Sequence, residues 1–171
     1  MTKLLIPNRH WQYSLYAIAL VLMSPAFAHE ETAASQSPIA TADQTAFEIA
    51  AKTVDGFHQA LSKGDRGAAQ LLLDDNVQIY EQGWVERSKA EYASHHLDSD
   101  IEFTRAVSQA QTARSGAVIG DIAYVATEGR TTGKFEGKDI DAVTLETTVL
   151  RRIEGAWRIV HIHWSSRKAK A

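Results

Sequence analysis

Leu150-Arg151-Arg152-Ile153-Glu154-Gly155-Ala156-Trp157-Arg158-Ile159-Val160-His161-Ile162-His163-Trp164-Ser165 is the stretch on which the fold turns. Two runs rich in β-branched and aromatic residues flank Glu154-Gly155, a dipeptide whose glycine tolerates the positive φ of a tight hairpin turn. The stretch therefore reads as the last two strands of an antiparallel sheet, with Ile153 opposite Ala156. Runs of the same kind precede it, roughly Phe103 to Ile119, Ile122 to Phe135 and Lys138 to Arg152. Turn signals at Gly120-Asp121 and Glu136-Gly137 separate them, so the C-terminal half reads as a four-strand meander.

The half before it is helical. Phe47, Ala50, Val54, Phe57 and Leu61 recur at spacings of three and four from about Gln44, which gives one apolar stripe ending near Gly64. Asp65 is placed to cap a second, short helix carrying Ala68, Ala69, Leu71, Leu72 and Leu73. A short strand around Val77 to Tyr80 follows, then a turn at Gln82-Gly83. Ser88 and Glu91, three residues apart, form a capping-box pair that opens a third helix to about Leu97, with Asp98-Ser99-Asp100 as its break. The expectation is an α+β domain: three N-terminal helices packed on a curved antiparallel sheet.

Two of these segments carry a family likeness. Leu61-Ser62-Lys63-Gly64-Asp65 before a Leu-rich helix, followed by Asp74-Asp75-Asn76-Val77, resembles the opening of SnoaL-like, or nuclear transport factor 2-like, domains, and Leu150 to Ser165 resembles their last hairpin. The likeness spans about residues 44–167. It implies a cone-like roll with a small-molecule pocket between helices and sheet, and often a sheet-to-sheet homodimer. It does not choose among isomerase, cyclase, dehydratase, binding and dimerisation roles, because function on a shared fold lives in the site. Isomerases of the superfamily use a tyrosine of the first helix as an oxyanion donor. Between Gln44 and Ser62 this chain has none, and Phe57 and His58 occupy the stretch.

Composition narrows the setting. Residues 1–28 read as a secretory leader, with Lys3 and Arg9 before an apolar run from Leu15 to Met23 and a Pro25-Ala26-Phe27-Ala28 cleavage pattern. That run, about 9 residues, is far short of the roughly 20 that span a bilayer as a helix. Residues 29–43 read as a flexible linker and residues 168–171 as a basic tail. A periplasmic or secreted location follows as an expectation. The leader takes two of the 18 basic residues and none of the 21 acidic ones, leaving 16 against 21, a net charge of −5 with neutral histidines. That balance argues against nucleic-acid and anionic-membrane partners. Cysteine is absent, which excludes disulfides, thiol nucleophiles and cysteine metal sites.

The candidate chemistry lies in histidines. Residues two apart on a strand share a face, so His161 and His163 project together with Trp157 and Ile159, and a regular hairpin sets His161 opposite Thr148 and His163 opposite Glu146. Three readings stay open for this cluster. One is an outer or dimer face; another is a pocket where Glu146 orients a histidine base and His96 is the opposing acid. The third is a zinc or copper site built from His161, His163, Glu146 and His96, no cofactor being otherwise expected. Of the adjacent His95 and His96, the flanking Ala93 and Leu97 favour His96 as the inward one. Asp98 or Asp100 could serve as the pocket aspartate that some enzymes of the superfamily use as a base. Tyr80, Trp84, Tyr92, Phe103 and Trp157 are the aromatic candidates for a ligand-lined wall.

Overall fold

The computed structural model describes residues 41–170; the proposed leader and most of the linker lie outside the described residues. Ten elements follow in order: α1 (Thr41–Lys63), α2 (Arg66–Leu72), β1 (Leu73–Glu81), β2 (Trp84–Glu86), α3 (Lys89–His95), α4 (Leu97–Ala106), β3 (Val107–Ile119), β4 (Ile122–Phe135), β5 (Lys138–Ile153) and β6 (Ala156–Lys168). The strands form one sheet in the order β2-β1-β6-β5-β4-β3. The α+β architecture is the expected one; β2 adds a short strand after the Gln82-Gly83 turn, and two further details differ.

First, the Asp98–Asp100 segment does not break the helical region. It is the first turn of α4, where carboxylates sit favourably beside unpaired backbone N–H groups, while Leu97 and Ile101 are buried four residues apart. Among the described residues there are thus four helices, and the meander begins at Val107 rather than Phe103. Second, the sheet is mixed. β1 runs parallel to β6 and connects the helical half to the meander, while every other pairing is antiparallel.

Local signals explain most of the boundaries. Asp65 Oδ1 accepts the Ala68 N–H at 2.9 Å at the start of α2, and Ser88 Oγ accepts the Glu91 N–H at 3.1 Å at the start of α3. Glu154 and Gly155 both have positive φ, 51° and 80°, the twist a two-residue turn between strands requires. Ile153 pairs with Ala156 as expected.

The core lies between α1 and the sheet. Phe47, Ala50, Ala51, Val54, Phe57, Ala60 and Leu61 of α1 face Val77 and Ile79 of β1, Ala123 and Val125 of β4, Leu150 of β5, and Trp157, Ile159 and Ile162 of β6, all buried. Ala123 pairs with Leu150, which pairs with Ile159, so these residues share the helix-facing side.

One position in β6 departs from a regular hairpin. Leu150 pairs with Ile159, but Val149 pairs with His161, so Val160 is an unpaired extra residue, a β-bulge. The alternation of faces reverses across it. Trp157 and Ile159 face the helices before the bulge, and Ile162 and Trp164 after it.

α1 packs on β3 at Gly116, where a Cβ would collide with the Tyr124 carbonyl oxygen and the Phe47 ring. Backbone on one side and a buried ring on the other leave no flexible neighbour to move. Gly116→Ala is expected to destabilise the fold by about 2–3 kcal/mol, read as a lower urea midpoint with an unchanged slope; an unchanged midpoint would show that α1 is not seated on β3 as described.

Candidate functional site

The helix-facing side of the sheet carries two groups of titratable side chains separated by one tryptophan. The first surrounds a small cavity, ≈ 10 Å³, bounded by β1, β2, α3, α4 and β6 and lined by residues that include Glu81, Trp84, Glu86, Tyr92, His96 and Asp100. That space holds about one water-sized group. Tyr92, fully buried, comes from α3 and donates its hydroxyl to Asp100 Oδ2 at 2.7 Å, from the first turn of α4. Glu86 on β2 is buried and is bonded by the Nδ1 of His96; the Nδ1 of His95 lies 3.4 Å from its other oxygen. Of the two histidines His96 is the more enclosed, its side chain 27% exposed against 60%.

The environment separates these groups electrically. Burial pushes the Asp100 carboxyl up to about 6; the Tyr92 hydrogen bond opposes the rise, and the Glu81 carboxylate adds to it. Glu81 is also raised, by burial, with His96 opposing. Burial, and then the neighbouring Asp100 carboxylate, drive Tyr92 far above the usual phenol range, so it remains a protonated donor. Asp100 is therefore a carboxylate whose charge changes at mildly acidic pH, near 6.

The second group gives the expected Glu146 an unexpected partner, His58. His58 of α1 sits 2.7 Å from Glu146 of β5 through Nε2. Glu146 also accepts from Trp164 Nε1 at 2.6 Å and Thr148 Oγ1 at 2.8 Å. Burial opposes both charges, but the pairing overcomes it. The His58 hydrogen bond holds Glu146 down, to about 2, and Glu146 in turn lifts His58 above its ordinary value. The only hint in the sequence was His58 standing where an oxyanion-donor tyrosine would be sought.

The sequence-derived cluster does not assemble. Because of the bulge at Val160, His161 pairs with Val149 and His163 with Thr147, while Glu146 pairs with Trp164 and Thr148 with Ile162. His161 and His163 lie on the face turned away from the helices, against Tyr80, with ring centroids 5.0 and 6.4 Å away. The His161 Nδ1 is engaged with the Gln78 carbonyl oxygen at 2.9 Å. Glu146 is on the opposite face with His58, and His96 is with Glu86, so the four residues share neither one pocket nor one metal site. Among the described residues, donor atoms of Glu86, Glu91 and His95 do lie within 4.8 Å of one another, though Glu91 already accepts the Arg87 N–H at 2.6 Å.

The aromatic candidates divide likewise. Trp84 and Tyr92 line the cavity. Tyr80 is on the outer face, Phe103 packs edge-on against Phe135 at 5.3 Å, and Trp157 is buried under the Arg152 guanidinium, 4.7 Å above its ring. Asp98 is exposed and pairs with Arg66.

This arrangement, helices over one face of a sheet with polar groups enclosed between them, agrees with a sequence comparison: the profile of the SnoaL-like domain matches residues 50–167. The chain belongs to the SnoaL-like domain family. A solved structure of a proposed ketosteroid isomerase from Shewanella frigidimarina NCIMB 400 is 38% identical to this SnoaL-like chain, covering 68% of it and 94% of the other, with a TM-score of 0.66. A proposed dehydratase of the nuclear transport factor 2-like family from Streptomyces avermitilis, 21% identical over 74% of this chain and 99% of its own, shares the fold with a TM-score of 0.63. So does a CaMKII hub from S. rosetta, at 18% identity over 70% and 95% of the two chains, with a TM-score of 0.57. No curated protein matches the chain.

Asp100 supplies a sign-definite test of this SnoaL-like site. Its folded value, about 6, exceeds the ordinary 3.8, so folding favours the protonated form and stability is lost as pH rises from about 4 through 6. Asp100→Asn removes that loss. The variant should be more stable than the parent by about 1–3 kcal/mol at neutral pH and indistinguishable from it below about pH 4, by denaturant titration across pH. A constant difference across the range would show that Asp100 is not the titrating group.

Proposed function

We propose that this chain is an exported SnoaL-like protein that binds a small molecule and performs cofactor-independent acid/base chemistry on it. The observation that carries the proposal is Asp100: a part-buried carboxylate, bonded by Tyr92, in a cavity between helices and sheet. A base titrating near operating pH combines a large ionised fraction with useful basicity. In this reading Asp100 takes a proton from a carbon beside a carbonyl group, and the C–H electron pair passes to the carbonyl oxygen. The proton returns to the same or a conjugated carbon. Tyr92 steadies the carboxylate, and His96, fixed through Nδ1 by Glu86, is the polar group opposite. The enclosed space admits only the reacting end of a ligand, whose body would lie along Trp84, 54% exposed. The name carried by the Shewanella relative and the leader-like residues 1–28 support activity and export respectively.

The test uses protein recovered from the periplasm, whose N terminus is expected at His29, and a panel of small ketones and enones in D2O. Deuterium exchange is followed by NMR. Exchange should rise with pH through about 6 and fall by about 100-fold or more in Asp100→Asn. Exchange by the variant at the parent's rate would remove Asp100 as the base, and retention of the protein in the cytoplasm with an intact leader would remove export.

A second reading concerns assembly and is compatible with the first. The outer face of the sheet exposes Tyr124, Leu145 and Tyr80 at 43%, 49% and 38%, beside Val149 and the two histidines. Apolar side chains in adjacent rows suit a homodimer contact between two such sheets. Leu145→Arg is then expected to convert a dimer to a monomer in light-scattering chromatography, and a parent protein that is already monomeric would end this reading.

A further inference from the structure

His58 and Glu146 take no part in the chemistry proposed for Asp100, yet their setting is that of a built site. Glu146 is nearly enclosed, its side chain 10% exposed, and both its oxygens are taken by protein donors: Thr148 on one, Trp164 and His58 on the other. That carboxylate is consequently fixed, and it fixes the ring bonded to it. The His58 imidazole uses Nε2 for Glu146 and is itself 31% exposed. Among the described residues no protein acceptor takes its remaining nitrogen, Nδ1.

His58 borders a second, larger hollow of ≈ 370 Å³, an open groove between α1, α4 and β3, with Gln59, Ser62, Thr104, Val107 and Gln109. This volume is in the range of small-ligand sites, whereas the Asp100 cavity holds one water-sized group. Its lining offers two amides, two hydroxyls, one apolar side chain and the imidazole, with no carboxylate among them. The charged groups that act on His58 are Glu146 from β5, Asp55 from its own helix and Arg114 from β3; Arg114 is itself held to Asp55 at 2.7 Å. Trp164 joins the two regions, since it lines the Asp100 cavity, bonds Glu146 and stacks on Phe57 at 6.4 Å.

We propose that this groove is a binding site for a small organic carboxylate, with the His58 Nδ1–H as its charged donor and Glu146 as the residue that positions the ring. A carboxylate complements the charged donor and the amide and hydroxyl groups around it, and Val107 receives the apolar body. A neutral ligand of the same shape lacks the charge-assisted bond. The site needs His58 protonated. Against the opposing burial, Glu146 raises the imidazole above its ordinary value, so binding is present below that ordinary value and lost as pH rises through the folded one.

The experiment titrates the full-length mature protein with benzoate and with benzamide, its neutral isostere, at constant ionic strength. The readout is the His58 ring resonance, identified by its loss in His58→Gln. A saturable benzoate shift is expected, with benzamide at least about tenfold weaker and benzoate affinity falling as pH rises above the ordinary histidine range. Because His58→Gln strands a buried carboxylate, affinity is also measured in the double variant His58→Gln, Glu146→Gln, which replaces the ion pair by two amides. Far-UV dichroism checks its fold. At least about a tenfold loss of benzoate affinity in the folded variant supports the site. Equal binding of benzamide, unchanged affinity in the variant, or no saturable movement of the His58 resonance would overturn it. Asp100→Asn is expected to bind benzoate as the parent does, so the outcome stands apart from that of the proton-transfer reading.

Discussion

The bulge at Val160 is the constraint on which the rest of the interior depends. β6 carries one residue more than the stretch of β5 it pairs with, and the ladder resumes on the other side of it with the faces exchanged. Two buried apolar residues precede it, Trp157 and Ile159, and two inward residues follow it, Ile162 and Trp164. Without the extra residue, His161 and His163 would point at α1, and Ile162 and Trp164 would face away. Burial of a leucine-sized side chain is worth roughly 1.5–3 kcal/mol, whereas an unpaired polar group in the same place costs a comparable amount. The bulge therefore places apolar groups inside on both sides of itself.

Trp164, once turned inward, organises what lies around it. Its ring stacks on Phe57, and its indole N–H satisfies one oxygen of Glu146, a charge that could not otherwise remain at 10% exposure on the inner face. With Thr148 and His58 completing its hydrogen bonds, the carboxylate is held as an ion, and α1 is tied to β5 by a charged contact as well as by its apolar stripe. A buried ion pair of this kind adds little net stability over an apolar replacement but fixes the relative placement of its partners, here a helix and a strand.

Asp100 is the contrasting case. Burial disfavours its ionised form, the nearby carboxylates add to that, and among the described residues its side-chain hydrogen bond comes from the neutral Tyr92 hydroxyl. The same interior thus contains one acid stabilised as an anion and another poised between its two forms. The difference follows from their partners rather than from residue type, and such divergence is the usual mark of acid/base roles.

Much of the fold was legible. The X-Gly turns, the α1 stripe and the caps at Asp65 and Ser88 are written in local sequence, because each depends on residues within one or two turns of chain. The extent of α4 was not, since Asp98-Ser99-Asp100 reads alike as a helix break and as a helix start until Leu97 and Ile101 are seen to be buried. The site was legible only in part. Sequence named Tyr92, His96 and Asp100 as separate candidates, and only the fold of α4 brings them to one cavity. It paired Glu146 with His163 instead of His58, because the period of two is a parity rule, and one unpaired residue inverts every assignment beyond it. What the chain alone determined is therefore the inventory: an α+β domain of the SnoaL-like kind, its turns and caps, and the absence of cysteine chemistry. Tertiary structure decided which histidine meets which carboxylate, because that depends on where a strand takes up an extra residue, and this is set by core burial across the whole sheet rather than by any local pattern.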